Sequence, residues 1–436
     1  MKRHYLTGIA CALTLSAALS ACSSTTSSTT KVQSTVQPAK QNSTQILAQT
    51  KLATIPDYIY YNKQHIQTIQ QQVASGHEPY LAAVKAITKQ ADKNLKSTIE
   101  SVLDKPKAAP SGNKNDYLSI APYWWPNPDT PDGMPWINKD GKVNPMTRGK
   151  HTDQKRSNQF LKALKTLTIA YTYTRNEQYL NRIQRYIDTW MVNPKTRMNP
   201  HLNYAQGWPG TNNGTPFGVI EWTSISNVVT AMQLLKETQA VDKEFITTVD
   251  HWLDEYLTWL LTSELGNLER TRKNNHGSWY DYQVVGLMMY LNKVEEATAY
   301  LSQTKQRIEE QFQVDGSQPH ELKRTKSVNY TSMNLQALVQ VAFLAEKLGV
   351  DLWNYQASQG QSLSKAVSYF YPYLRGEKAW QYKQIWRTIA QAYELKTYPM
   401  LHITRAYFGQ SAVPDDIYQK VKPTLSPEYL LLYSTK

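Results

Sequence analysis

Two short runs in this 436-residue chain carry side chains that could do chemistry together. The first is Lys273-Asn274-Asn275-His276-Gly277-Ser278-Trp279-Tyr280, and the second is Gln318-Pro319-His320-Glu321-Leu322-Lys323-Arg324-Thr325-Lys326-Ser327-Val328-Asn329-Tyr330. Two amides, an imidazole and two aromatic rings in one loop are costly to bury for packing alone, because each polar group then needs a partner. A capped helix start with a surface histidine would use the same residue types, since Asn and Ser are favoured N-caps. The second run by itself reads equally as a basic surface loop. Arg324 lies 48 positions after His276 and six before Tyr330. Six is too far for direct neighbours on one helix face, but a turn ahead of a helix near Tyr330 would bring the two together.

Jointly, the runs supply what β-elimination beside a uronate carboxylate requires. The C5 proton is weakly acidic while that carboxylate keeps its charge, so donors must neutralise it and stabilise the enolate-like charge that develops. Asn275 and Arg324 are suited to this. A base must remove the C5 proton and an acid must protonate the leaving O4, roles open to His276 and Tyr330 if they are held within hydrogen-bond reach. Asn274, Trp279, Tyr280 and Lys326 are expected to line the substrate site beside them.

The elements that must position these groups read as helices. Phe160, Leu164, Leu167 and Tyr171 recur at helical spacing, and Tyr179, Ile183, Ile187 and Trp190 repeat the pattern after the short Thr174-Arg175-Asn176 connection, which predicts an antiparallel hairpin. Phe245, Val249, Trp252, Tyr256 and Trp259 form a third stripe, and helices are expected at 79–103, 217–236, 278–293, 295–312, 330–348, 362–374 and 383–408. No alternating run competes, so the fold class is all-α. Repeated hairpins suggest an incomplete α/α toroid, a barrel of helical hairpins with long aromatic-rich loops around a cleft, with a solenoid as the alternative. Pro, Gly, Asn and aromatic residues interrupt the helices at 110–153, 193–216 and 264–277, and long loops in a compact helical domain are usually functional. Tyr123, Trp124 and Trp125 in the first and Gln206 and Trp208 in the second are candidate sugar-binding residues. Packing of the loops by their own rings is the competing reading.

Asn274-Asn275-His276, followed by Glu321-Leu322-Lys323-Arg324 and then Tyr330, resembles the alginate lyase family of polysaccharide lyases. So do Asn203-Tyr204-Ala205-Gln206 with Pro209-Gly210 and Gly218-Val219-Ile220, and Asp116-Tyr117-Leu118-Ser119 leading into the Trp-rich loop, and the likeness spans roughly residues 80 to 350. The resemblance implies an incomplete α/α barrel and metal-independent β-elimination of a 1,4-linked uronan to a 4,5-unsaturated end. It also implies a carboxylate-neutralising pair at Asn275 and Arg324, a histidine at His276 that assists neutralisation or acts as base, and an acid, or acid and base, at Tyr330. The Arg324-to-Tyr330 interval is one shorter than in the best-characterised branch, and Gly-Ser-Trp-Tyr follows His276. The resemblance therefore leaves mannuronan, mixed alginate, glucuronan and other acidic capsule polymers open.

Charge and targeting agree with an exported enzyme on a polyanion. Lys2 and Arg3 precede an apolar run, Leu6 to Leu19, too short to span a membrane, and Leu19-Ser20-Ala21-Cys22 resembles a lipobox. Residues 1–21 are expected to be a lipoprotein signal peptide, with Cys22 the lipidated N-terminus. Residues 22–55 would be a flexible Ser/Thr/Gln/Lys tether and 56–436 a single catalytic domain. Ser23 and Ser24 follow Cys22, which points to an outer-membrane anchor facing the periplasm or the cell exterior. Cys11 is the only other cysteine, so the mature chain would lack an internal disulfide. Losing Lys2 and Arg3 takes the formal charge from +13 to +11, which suits an acidic polysaccharide. With no zinc spacing, P-loop or RNA-binding signature, and with an export signal, neither nucleic acid nor a cofactor is expected. His151, His201 and His320 lack spaced partners for a metal. The chain has 29 Tyr and 12 Trp against 7 Phe, so most of its rings carry a polar edge that can serve sugar hydroxyls. Two rival classes remain: a glycoside hydrolase, which would use paired carboxylates across a cleft, and a non-catalytic glycan-binding lipoprotein.

Overall fold

The computed structural model describes residues 55–435; the expected signal segment, Cys22 and the tether as far as residue 54 lie outside the described residues. Ile55, the last residue assigned to the tether, is already buried in the core. The described residues are 60% helical, as the stripes require. It enters through α1 (Lys63–Ala74) and α2 (Glu78–Lys96). The hairpin expected at Thr174 forms from α3 (Gln154–Thr174) and α4 (Glu177–Ile187). Arg175 ends α3 in the left-handed region at φ 56°, and the Asn176 side chain caps α4 by accepting from the Gln178 amide.

Further on come α5 (Ser226–Glu237), α6 (Lys243–Thr262), α7 (Glu264–Arg270), α8 (Asn275–Tyr290), α9 (Val294–Gln311), α10 (Ser327–Lys347) and α11 (Tyr398–Phe408). The apolar stripes meet in one core, where Phe160 stacks on Trp190 at 4.9 Å and Trp222 on Trp252 at 5.7 Å. Burying each such side chain stabilises the fold by about 1.5–3 kcal/mol. No helix among the described residues is long and apolar enough to cross a membrane.

The long loops carry four short strands, β1 (Leu118–Ile120), β2 (Trp124–Trp125), β3 (Ile137–Asn138) and β4 (Tyr204–Gly207). β1 runs parallel to β4, and β2 pairs antiparallel with β3, so the first loop folds on itself and is tied to the second. Several expectations shift. The 79–103 helix ends at Lys96, and the 362–374 helix is split into Leu363–Ser368 and Tyr371–Arg375. The 264–277 stretch is not all loop but holds α7, capped by the Ser263 hydroxyl. The 217–236 helix opens as a 3-10 segment, Pro216–Ile225, where Gly218 lies against Ala205 too closely for a side chain. The 383–408 helix begins only at Ile389, because residues 383–385 are pulled out extended along 325–328 by hydrogen bonds from Ser327 N to Lys383 O and from Ile385 N to Thr325 O.

Candidate active site

The first wall of the site is the N-terminus of α8. Arg307 on α9 reaches back under it, donating from Nε to Asp281 Oδ2 at 2.7 Å and from Nη1 and Nη2 to the carbonyls of Arg272 and Arg270 at 2.7 and 2.9 Å. A Cβ at position 277 would collide with that guanidinium and with the Arg272 carbonyl, so glycine must follow His276. His276 Nδ1 lies 2.6 Å from Oε1 of Glu269, a carboxylate with no solvent exposure whose Oε2 has no partner. A carboxylate accepts, so Nδ1 carries the proton and Nε2 is the nitrogen left for substrate. The edge of Phe217, at 5.1 Å and 79°, fixes the ring from the side. Asn275 donates from both its backbone N and its Nδ2 to Glu321 Oε1, at 2.5 and 2.8 Å. Burial raises the Glu321 carboxyl, and the Asn275 bonds with the nearby Arg324 charge pull it part of the way back.

The second wall is the turn before α10. Arg324 lies over the Tyr330 ring at 3.9 Å, so the six-residue interval does fold into contact. Its fork is engaged: Nη2 donates to Asp140 Oδ1 at 2.6 Å and Nε to Oδ2 at 3.3 Å, and Asp140 also accepts from Thr325 N and Oγ1. Tyr330 shares a 2.7 Å hydrogen bond with the Tyr123 hydroxyl. Burial and the neighbouring Tyr123 push the Tyr330 phenol well up, with Arg324 opposing, so it is protonated at neutral pH.

Buried amides join the walls. Asn334 on α10 accepts from Ser278 Oγ at 2.6 Å and donates to Gln311 and Gln318 at 2.8 Å each, while Gln311 Nε2 donates to the Asn274 carbonyl at 3.0 Å. The contacts between the walls form a circuit. From Tyr330 it passes through Tyr123 to the adjacent Trp124, which stacks on Trp208 at 4.5 Å. Trp208 meets Phe217 at 6.2 Å, and Phe217 meets His276. The return runs through Asn275, Glu321 and Arg324, the last two joined by the Arg324 N to Glu321 O bond. The two sequence runs therefore converge on one site.

Not every expected residue faces it. Tyr280 is fully buried and donates to the Leu260 carbonyl; one helical turn past His276 it points into the core, not toward substrate. Trp279 packs its edge on Tyr282 against the core. Trp125 donates to the Lys142 carbonyl and lies under Lys139, which pins the loop rather than lining the circuit. Gln206 is buried at a left-handed φ of 47° and bonds through its backbone N to Ser119 Oγ. Asn274 precedes the first turn of α8, its buried Oδ1 without a partner. Lys326 holds its ammonium 5.2 Å over the Tyr123 ring. Sequence reasoning passed over Glu269, Asp140, Phe217 and Asn334. Only Glu269, seven residues before His276, stood near enough in sequence to invite a pairing.

The sequence model of the family described as alginate lyase matches residues 101–380. An alginate lyase from Bacteroides ovatus, known from its crystal structure, is 31% identical, with a TM-score of 0.81 over 88% of this chain and 100% of its own. Alginate lyase A1-III from Sphingomonas species A1 is 18% identical, with a TM-score of 0.51 over 80% of this chain and 94% of its own. A tyrosine-to-phenylalanine variant of A1-III, complexed with a tetrasaccharide, gives 16% and 0.54 over 88% and 98%. These more distant structures share the fold. No curated protein matches the chain. With its helical fold and this site, the protein is a polysaccharide lyase. It belongs to the alginate lyase family.

Proposed function

We propose that this lyase cuts alginate or a similar 1,4-linked uronan at the opening between His276 and Tyr330. The chain of contacts supports the reading, because it links an imidazole hydrogen-bonded to a carboxylate, a protonated phenol and a guanidinium stacked on that phenol. The tetrasaccharide held by the A1-III variant is the relevant ligand class on a shared fold.

The geometry divides the work. His276, fixed by Glu269, presents Nε2 as base toward C5, and Glu269 stabilises the imidazolium that forms. As the C5–H bond breaks, its electron pair becomes the C4=C5 bond and the C4–O4 bond breaks, with Tyr330 giving its proton to O4. Arg324, and Asn275 through the second hydrogen of the Nδ2 that Glu321 already engages, take the carboxylate whose charge grows in the transition state. Arg324 can do so fully only by giving up Asp140, so a substrate carboxylate replaces one anion with another. The incomplete toroid, the lipid anchor at Cys22, a tether that stops short of Ile55 and an outer-membrane position belong to the same reading, and a domain from Ile55 onward would then suffice for catalysis.

The test is ultraviolet absorbance of the unsaturated uronate when the protein meets a panel of uronans. A hydrolase would yield reducing ends without that chromophore, and a binding protein neither. His276→Ala and Tyr330→Phe should abolish the signal with the helical circular dichroism intact, and near-normal turnover in either would remove that residue from the mechanism.

A further inference from the structure

We propose that Arg272 is a second carboxylate-binding residue of this lyase, which holds the uronate next to the one being cut; this rests on the uronan reading above. Its guanidinium stands one ring away from the imidazole. Arg272 Cζ lies 4.4 Å over the Phe217 ring, and the Phe217 ring lies 5.1 Å from that of His276. Together the two distances keep the guanidinium within the length of a disaccharide from His276.

The turn between α7 and α8 fixes that place. Arg272 N donates to the Glu269 carbonyl at 3.1 Å, and the Arg272 carbonyl accepts from Arg307 Nη1 at 2.7 Å. Arg307 is itself buried and paired with Asp281, so the backbone under Arg272 is set before substrate arrives. On its other side Phe217 meets further rings: Trp208 at 6.2 Å, which stacks on Trp124 at 4.5 Å. A row of aromatic faces, of the kind on which sugars pack, thus ends in the Arg272 charge.

That charge is unmatched. Among the described residues the half-buried Arg272 side chain makes no ion pair and no hydrogen bond, and its Nε is enclosed without a partner. The acids that could serve it are engaged: Glu269 holds His276, and Glu310 meets Lys273 at 3.6 Å. A ring face offsets less of a guanidinium's lost hydration than a carboxylate does, and the two Nη groups form a fork that fits both oxygens of a carboxylate. In a uronan every sugar carries a carboxylate. While Arg324 and Asn275 neutralise the one on the reacting sugar, its neighbour brings a second, and Arg272 is the free cation within reach of it.

The experiment uses the full chain and two readouts: unsaturated-product kinetics on alginate across pH, and calorimetric binding of size-fractionated alginate oligosaccharides. Arg272→Met keeps an unbranched stem against Phe217 and removes the charge. It should raise KM about tenfold and weaken oligosaccharide binding to match, with kcat within about threefold of wild type and the pH profile of kcat unmoved. Arg272→Lys should recover most of the loss, as a point charge without the fork. If kcat falls tenfold or its pH profile shifts while KM and affinity hold, Arg272 only props Phe217 against His276, and the subsite is overturned with the elimination intact. Wild-type KM and affinity with wild-type kcat overturn it as well. If no uronan gives unsaturated product, the elimination falls and calorimetry alone decides. A tenfold weaker affinity in Arg272→Met, recovered in Arg272→Lys, then upholds the carboxylate site, and an unchanged affinity overturns it.

Discussion

The two walls of the site are held in opposite ways. On the His276 side the partners are Glu269 and Glu321, at 0% and 1% exposure, behind an amide network centred on Asn334, itself fully buried. On the Tyr330 side the partners come from a surface loop, and the side chains of Arg324 and Asp140 remain 23% and 31% exposed. Breaking a buried charged contact leaves an uncompensated charge and costs several kcal/mol, whereas a half-exposed pair exchanges at little cost. The base is therefore set in place before substrate arrives, while the carboxylate receptor holds an exchangeable anion.

The largest expected effect tests whether the half-exposed partners serve a fixed acid. Tyr330→Phe keeps the ring under Arg324 and removes only the proton donor. A loss of about a thousandfold or more in kcat is expected, measured as unsaturated product. A loss of tenfold or less would mean that Tyr330 belongs to the loop's packing, and the contrast between the walls would collapse. Next comes Glu269→Gln, which keeps the shape and removes the charge that orients His276. It should lower kcat about a hundredfold and alter the pH profile of kcat, with KM little changed. An unchanged profile would show that the buried wall is structural only.

A smaller effect should separate architecture from chemistry. Asn334→Ala leaves Ser278, Gln311 and Gln318 without their shared partner and should lower unfolding stability by about 2–3 kcal/mol in denaturant titration. Because that network sets the distance between the walls, kcat should fall with it. Full activity at saturating substrate in the destabilised protein would show that the walls are positioned by the core alone.

The same contrast explains what could be read from the sequence. The stripes Phe160 to Tyr171 and Phe245 to Trp259 were legible because a buried helix face must repeat at helical spacing, whatever it packs against. His276, Arg324 and Tyr330 were legible because their chemistry is unusual in short loops. Tyr280 was not placed correctly: membership in a run says nothing of depth, and one turn along the same helix face from His276 its ring is fully buried with its hydroxyl on the Leu260 carbonyl. Asp140 was invisible because it meets Arg324 across 184 positions and resembles any loop aspartate until the β2–β3 hairpin sets its direction. The extended 383–385 stretch was hidden for a related reason, since side-chain bonds from Gln384 override a local pattern that reads as helix.

Asp140→Asn is the mildest test and bears most directly on exchange. Burial alone would raise the Asp140 carboxyl, but the hydrogen bond and charge of Arg324, with Thr325, hold it below the usual aspartate value in the folded chain. A depressed acid contributes stability that is fully present above its unfolded value and is lost as pH falls through the folded one. At neutral pH the variant should thus be less stable than wild type by at most about 1 kcal/mol, given the exposure of the pair. The gap should narrow below about pH 4, where the aspartate begins to protonate in the unfolded chain, and close as the folded carboxyl takes up its proton. Thermal melts across that range measure it. If Asp140 only keeps the place of a substrate carboxylate, freeing Arg324 should leave kcat within about threefold and lower KM for an anionic polymer. A KM raised tenfold instead, with the acid-side gap still closing, would make Asp140 a group that positions substrate, and the two walls would then be equally committed to the reaction.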